Sequence, residues 1–213
     1  MAKFGVDPHG RWDKNLAQQQ FQAHVGNIMD KYRQASPEML KGGHEWYDRA
    51  HEHAMTIGRG NSEMGAGIIA ALSPQTGWQR NMDMAHELIK TGSTGTTQDN
   101  LQKAQRIHAG ENPREVLGGH KVRSFFENIV DPSNPNSVTI DRHAHDIAVG
   151  IPFRKTATPE NMPGKANVDL GLGAIGRYKH FEHAYRSASE QLGIEIPHKV
   201  QATTWVQHRG AIG

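Results

Sequence analysis

The sequence predicts an all-α protein. Most of the 213 residues lie in segments where apolar side chains recur three or four positions apart, which is the period of a helix buried on one side. Many of these segments begin at a capping Asp, Asn or Ser and end at a Gly or before a Pro. No segment has a convincing strand pattern, and no internal repeat is present. We therefore expect helices joined by turns and loops.

The first half of the chain predicts five helices. The first covers 13–34 with Asp13 as its N-cap, and the second runs from Ser36-Pro37 to about Ile57, because a cap followed by proline starts a helix well. A third helix, rich in Gly and Ala, extends from the Ser62-Glu63 start to Leu72 and ends before Pro74. Two more are expected over 78–89 and 101–109, on either side of a polar loop at 91–97.

The second half predicts a helical hairpin and three further helices. A short helix starting at Asn112-Pro113 leads into the turn Gly118-Gly119, and the next helix places Val122, Phe125, Phe126 and Ile129 on one face. After a polar break at 131–137, a short apolar run ends at Asp141, which opens another helix. Residues 150–176 are rich in Gly and Pro and predict a long loop, and helices follow over 178–192 and 197–209.

Composition limits the classes of protein. The length suits one domain or two small lobes. The chain has no run of about 18 apolar residues and no signal-peptide segment, so we expect no membrane association. With no cysteine there is no disulfide and no cysteine-ligated iron–sulfur cluster, and a cytoplasmic location is the default expectation. No His or Cys spacing is typical of a metal site. The net charge of +2 is only a weak indication of nucleic-acid binding.

The strongest functional features are the hairpin turn and the aspartate that follows it. Gly118-Gly119 gives the backbone the freedom that a tight turn needs, and the helix start behind it suits a phosphate group. Lys121 lies at that helix start, and Asp141 follows 20 positions later. A turn that binds phosphate, a lysine and a nearby aspartate are the groups that a DNA glycosylase needs.

These residues resemble a known superfamily. Gly119-His120-Lys121-Val122 and Ile140-Asp141-Arg142-His143 resemble the helix-hairpin-helix and Asp motif of the HhH-GPD DNA glycosylases, which include the endonuclease III and 8-oxoguanine glycosylase families. Residues 71–76 are similar to the Leu-Ser-x-Gln segment near the start of that fold. The nearest likeness is to small phage- or host-encoded members without an iron–sulfur cluster. The usual Leu-Pro-Gly-x-Gly hairpin is here Leu-Gly-Gly-His, and an alternative register puts Arg123 in the place of the lysine.

The resemblance implies a single HhH-GPD domain, expected to be a monomer that binds double-stranded DNA. One lobe would cover about 62–130, with the hairpin at 112–129, and the other about 13–61 plus 138–213. No cofactor is implied except a monovalent cation at the hairpin. Asp141 would stabilise the sugar cation formed as a flipped base leaves, and Lys121 would attack that sugar in a member that also cleaves the strand. The implied DNA contacts are Gln75, Gly118, Gly119, His120, Arg123, Arg142 and His143, and the aromatic residues that could stack on a flipped base are Trp46, Tyr47, Trp78 and Trp205.

Each of these assignments has a structural alternative. Asp141 caps a helix whether or not it is catalytic, Lys121 could only pair with a phosphate, and large aromatic side chains usually fill cores. Two functions other than excision also fit the sequence. One is an enzyme that modifies a phage base on the same scaffold, and the other is a DNA-binding module without catalysis.

Overall fold

A computed structural model describes residues 13–150 and 172–210 of the chain. Within these ranges the structure consists of helices and turns with no β-strand, which confirms the all-α prediction. The predicted loop at 150–176 lies mostly outside the described residues. The helices are α1 (Lys14–Gln19), α2 (Phe21–Arg33), α3 (Pro37–His44), α4 (Trp46–Ile57), α5 (Ser62–Leu72), α6 (Trp78–Thr91), α7 (Gln98–His108), α8 (Pro113–Val116), α9 (His120–Val130), α10 (Arg142–Val149), α11 (Ile175–Leu192) and α12 (Pro197–Arg209).

The chain divides into two compact units. Among the described residues, unit 1 combines 13–44 with 138–150 and 172–210, and unit 2 is the continuous segment 45–137. The sequence placed 13–61 with the first of these, but α4 packs on α5 and α9 and therefore belongs to unit 2. Among the described residues, none of the helices has the length and apolar character needed to span a membrane.

Unit 1 is built on α2, α10, α11 and α12. Helix α11 packs on α2 and α12, α10 packs on α2, and α3 lies along α12. The approach of α3 to α12 is close, since a Cβ on Gly43 would overlap Thr203. The core contains Ile28, Phe181 and Tyr185 from the helices and also Val138 and Ile140 from the non-helical segment that precedes α10.

Unit 2 is centred on α5, which is buried along its length. Residues 65–72 of α5 are all buried, and the helix packs on α4, α7 and α9. The Gly and Ala residues of α5 allow these neighbours to approach closely. A Cβ on Gly65 would overlap the carbonyl oxygen of Ala54, and one on Gly67 would lie 2.8 Å from Cγ of Pro113. The hairpin helices α8 and α9 are therefore held against a rigid central helix.

Two predicted helices are each interrupted once. The predicted helix 13–34 breaks at Gln20, and the predicted helix from Pro37 breaks at Glu45. Both residues have φ near −90° and ψ near 0°, a conformation that ends a helix without Gly or Pro. The break at Glu45 follows Gly42-Gly43 and coincides with the passage of the chain from unit 1 to unit 2.

Candidate functional site

Asp141 of unit 1 caps helix α10 with one carboxylate oxygen only. Its Oδ1 accepts a hydrogen bond from the Ala144 N–H at 2.8 Å. Within the described part of the chain, Oδ2 has no hydrogen-bond partner, and the side chain is half-buried. The cap and a second role are therefore compatible, because they use different oxygens.

Histidines and cations surround Asp141. His143 is half-buried, and its ring centroid lies 5.5 Å from that of His208 on α12. Burial lowers the pKa of His143, although the charge of Asp141 opposes this effect. Burial also lowers the pKa of His208, so both rings are mainly neutral at pH 7 and can accept or donate hydrogen bonds. Arg142 is exposed next to them.

A polar groove of about 430 Å³ lies in the same unit. It is lined by residues of α2, α10 and α12, of which the ionisable ones are Asp30, Lys31, Asp146 and His208. Asp146 is buried, and its Oδ1 lies 3.1 Å from Nδ1 of His145. The sequence did not single out this groove, because its walls come from residues more than 100 positions apart.

The hairpin turn of unit 2 has the conformation that its glycines allow. Gly119 is the N-cap of α9 with φ +76° and ψ 140°, and no side chain caps the helix start. Both Gly118 and Gly119 are exposed, and a Cβ built on either would meet no atom within 4 Å. Arg123 closes the turn by donating from Nε to the Leu117 carbonyl at 2.8 Å. The helix start thus faces open space, as a phosphate site requires.

Lys121 and Arg123 have different roles in the hairpin. The Arg123 guanidinium bonds the turn itself, whereas Lys121 makes no hydrogen bond or ion pair in the described part of the chain. Lys121 is also half-buried. Lys121 is therefore available to a ligand, whereas the Arg123 guanidinium is engaged within the turn.

Arg114 ties the hairpin to the rest of unit 2. Its Nη1 lies 2.6 Å from Glu63 of α5, and its Nε lies 3.0 Å from Glu127 of α9. The guanidinium also lies 5.1 Å from the centroid of the Phe126 ring. Single exposed ion pairs add little stability, but this group links three helices of unit 2.

Gln75 occupies a strained turn between α5 and α6. Its φ is +60°, a value that L-residues other than Asn, Asp and His rarely adopt. The turn is held by a hydrogen bond from the Thr76 N–H to the Ser73 carbonyl at 3.2 Å. The Gln75 side chain is exposed, and in the described residues its amide has no partner. Backbone strain of this kind often occurs where a side chain must be presented to a ligand.

Three of the four predicted stacking residues share an aromatic cluster in unit 2, which we define as Trp46, Tyr47, Trp78 and Phe125. The Trp46 ring centroid lies 4.8 Å from Tyr47, 4.9 Å from Trp78 and 6.0 Å from Phe125. Tyr47 is buried, while the other three are half-buried. The cluster therefore contributes to the core, as is usual for large aromatic side chains, but three of its rings also keep some exposure to solvent.

The aromatic cluster adjoins two other predicted site residues. Trp78 begins α6 three positions after Gln75, and Phe125 follows Lys121 by one helical turn on the same face of α9. Phe125 was named in the sequence only as part of an apolar face, yet it joins the hairpin helix to the tryptophans. Trp205, the fourth predicted stacking residue, lies in unit 1, where the Arg209 guanidinium covers its ring at 5.4 Å.

Comparison with known proteins identifies the family. The sequence model of a family of unknown function, DUF7178, matches residues 12–212, and the chain belongs to this family. No curated protein and no solved structure matches the chain. In the described ranges, no group of three or more His, Cys, Asp or Glu side chains is arranged to hold a metal ion.

Proposed function

We propose that this member of the DUF7178 family is a DNA glycosylase with the HhH-GPD fold, which excises a damaged or modified base from double-stranded DNA. The observation that carries the proposal is that the two carboxylate oxygens of Asp141 differ in their contacts. One oxygen is fixed by the Ala144 N–H at 2.8 Å, and the other is left without a partner in the described residues. A carboxylate that is held in place but not neutralised is suited to stabilise a cation.

Asp141 would act on the sugar of the flipped nucleotide. As the C1′–N bond breaks, both electrons leave with the base, and positive charge develops on C1′ and the ring oxygen. The free Oδ2 would stabilise that charge and orient a water molecule, which adds to C1′ and loses a proton. The departing base takes up a proton from solvent. The neutral His143 beside Asp141 would add no positive charge to oppose the cation.

The hairpin would hold the DNA backbone. The open turn at Gly118 and Gly119 exposes the N-terminus of α9, whose dipole attracts a phosphate oxygen. His120 lies at the same helix start, and on unit 1 the exposed Arg142 would add a second backbone contact. Such contacts fix the register of the enzyme on DNA without reading the sequence.

The strained turn would contact the orphaned base that remains in the duplex, and the aromatic cluster would bind the flipped base. The Gln75 amide can both donate and accept hydrogen bonds, so it suits the edge of an orphaned base. The accessible faces of Trp46 and Trp78 offer a stacking surface, which is worth about 1–3 kcal/mol per base.

Lys121 decides between two forms of the reaction. If its neutral amine attacks C1′, the base leaves and a Schiff base to the opened sugar forms, which then permits strand cleavage by elimination. If Lys121 only pairs with a phosphate, water is the nucleophile and the strand stays intact. The unpaired state of Lys121 in the described residues supports the first form.

The central experiment is excision assayed on a panel of duplexes with modified bases, followed by alkali and gel analysis. Asp141→Asn should keep the helix cap, because Asn caps as well as Asp, yet lose excision by at least about 100-fold with DNA binding kept. Asp13→Asn is the matched control, since Asp13 also caps a helix of unit 1, bonding Asn15 N–H at 2.8 Å. Full activity in Asp141→Asn would contradict the proposal and favour a DNA-binding module.

A borohydride-trapping experiment tests Lys121 separately. With an abasic or lesion-bearing duplex, the wild-type protein should form a covalent adduct that survives denaturation, and Lys121→Gln should not. Lys90→Gln serves as the control, because it removes an exposed lysine of α6 in the same unit that lies outside the hairpin. Excision without any adduct would assign Lys121 to phosphate binding alone.

The polar groove of unit 1 favours a second candidate function, base modification on the same scaffold. Its charged lining, including Asp146 and Lys31, would suit a small polar co-substrate, which hydrolytic excision does not need. A base of altered mass that remains attached to its sugar would favour modification, whereas release of the free base would favour excision. Mass spectrometry of digested phage DNA distinguishes the two products.

A further inference from the structure

We propose that Tyr178 and Tyr185 of helix α11 are positioning residues that fix the Asp141 carboxylate for the reaction. This inference rests on the proposed function and deepens it. The two tyrosines are separated by seven residues, or about two helical turns, so they lie on the same face of α11. Both are buried, with exposed fractions of 2% and 0%.

Tyr178 makes two hydrogen bonds to the segment that leads to Asp141. Residues 138–140 are buried and belong to no helix or strand in the described part of the chain. Buried backbone groups nevertheless need partners. The Tyr178 hydroxyl supplies two, because it accepts from the Ile140 N–H at 3.0 Å and donates to the Val138 carbonyl at 2.9 Å. The Tyr178 hydroxyl therefore holds the backbone at two points on the N-terminal side of Asp141.

Tyr185 fixes the chain on the other side of Asp141. Its hydroxyl donates to the Ala144 carbonyl at 3.1 Å. Ala144 is also the residue whose N–H binds Oδ1 of Asp141. Burial raises the pKa of Tyr185, so its phenol keeps the donated proton over the whole working pH range. The carboxylate is thus held between two points that are both anchored to α11.

This arrangement has a consequence for Oδ2 of Asp141. The backbone before residue 141 and the capping bond after it are both fixed, so the direction of the remaining oxygen is fixed as well. Stabilisation of a developing charge depends on placement within a fraction of an ångström, and a shift of 1 Å can cost about 100-fold in rate. Loss of either hydroxyl should therefore slow chemistry more than it weakens DNA binding.

The test compares Tyr178→Phe and Tyr185→Phe with Tyr32→Phe in the full chain. Tyr32 is the matched control, since its hydroxyl bonds Nε2 of His44 at 2.8 Å in the same unit and makes no hydrogen bond to residues 138–144 in the described part of the chain. Single-turnover base release should fall about 10- to 100-fold in the first two variants, with the duplex Kd within about twofold of wild type. Tyr32→Phe should release base at the wild-type rate. Hydrogen exchange at the Ile140 amide should accelerate only in Tyr178→Phe.

Replacement of Tyr178 by 3-fluorotyrosine, which keeps the hydroxyl as donor and acceptor at the same position, should retain both the rate and the slow exchange. If Tyr178→Phe does not fold, Tyr185→Phe, which loses one hydrogen bond only, carries the test. Wild-type rates in both Phe variants, with Asp141→Asn inactive, would overturn the positioning role and leave the proposed function intact. Full activity of Asp141→Asn would overturn both.

Discussion

Gly118 and Gly119 are neighbours in the hairpin turn, but only Gly119 needs to be glycine. Its φ of +76° with ψ of 140° is almost closed to other residues. We predict that Gly119→Ala lowers the free energy of unfolding by about 1–3 kcal/mol and weakens duplex binding, because the turn must change shape. Gly118→Ala, where no atom obstructs a Cβ, should stay within about 0.5 kcal/mol of wild type. Urea unfolding and duplex titration of both variants measure these effects.

Gln75 offers a second prediction at the scale of one residue. Replacement by Gly relieves a left-handed conformation that costs about 1–2 kcal/mol, although Gly gains entropy in the unfolded chain. We expect Gln75→Gly to leave stability unchanged or raise it by about 1 kcal/mol, and to reduce base excision because the amide is lost.

The control for Gln75 is Arg59, which has a φ of +51° in another exposed turn. Arg59→Gly should change the free energy of unfolding in the same direction and leave excision unaffected. Equal excision by Gln75→Gly and wild type would remove Gln75 from the DNA interface. The two variants together separate relief of strain from loss of function.

The crossing of α4 and α5 depends on a residue without a side chain. A Cβ on Gly65 would overlap the carbonyl oxygen of Ala54, and neither backbone can move without disturbing its helix. We predict that Gly65→Ala costs about 1–3 kcal/mol of stability, as over-packed cores do. Gly26 of α2 is the contrasting case, since nothing lies within 4 Å of its Cβ position. Gly26→Ala should stabilise by about 0.5–1 kcal/mol, and thermal unfolding compares the two.

Helix positions were largely predictable from the sequence, while their interruptions were not. The cap at Asp13, the breaks at 58–61 and 73–77 and the helix Pro197–Arg209 follow from local signals, and the structure has them. The interruption at Gln20 has no Gly or Pro beside it. The one at Glu45 follows Gly42-Gly43 and coincides with the passage between the two units, which depends on contacts that are distant in the sequence.

The candidate site was predictable in its residue types and only partly in its contacts. The turn glycines and the capping aspartate have local signatures, so their conformations could be inferred. Two contacts could not be inferred, because each depends on the direction of a side chain. They are the hydrogen bond from Arg123 to the Leu117 carbonyl and the ring contact between Phe125 and Trp46. The bonds from Tyr178 to residues 138 and 140 span about 40 positions and leave no local pattern.

At the scale of the molecule, unit 1 carries a concentration of histidines whose pKa is lowered. They are His24, His44, His143, His145, His180 and His208. Burial is the main cause in each case, and it lowers the pKa of both His24 and His180 to about 4. His24 Nδ1 and His180 Nε2 lie 2.9 Å apart, so a proton on one ring disfavours a proton on the other.

These pKa values predict a loss of stability in mild acid. The unfolded chain binds protons on these rings near pH 6.5, whereas the folded chain does so only near pH 4 for His24 and His180. The contribution of these buried rings to the free energy of unfolding is therefore fully present above about pH 6.5, and it is lost as the pH drops from 6.5 toward 4. We expect the urea midpoint, followed by circular dichroism, to decrease steadily over that interval.

A substitution identifies the source of the acid effect. His180→Asn should make the urea midpoint depend less on pH between 6.5 and 4, because one suppressed titration is removed. His86→Asn, at an exposed position of α6 in unit 2, should leave the dependence unchanged. An identical slope in wild type and His180→Asn would show that the buried ring is not responsible.

Unit 1 is formed from two separate parts of the chain, and this affects how the protein folds during its synthesis on the ribosome. Helix α3 packs on α12, which lies more than 150 residues further along the chain and is therefore synthesised much later. The continuous segment 45–137 can acquire its native structure while synthesis is still under way. The early helices α2 and α3 pack instead on α10, α11 and α12, so their apolar faces stay uncovered until these later helices have been synthesised. During that interval the uncovered faces would offer a binding surface to a chaperone.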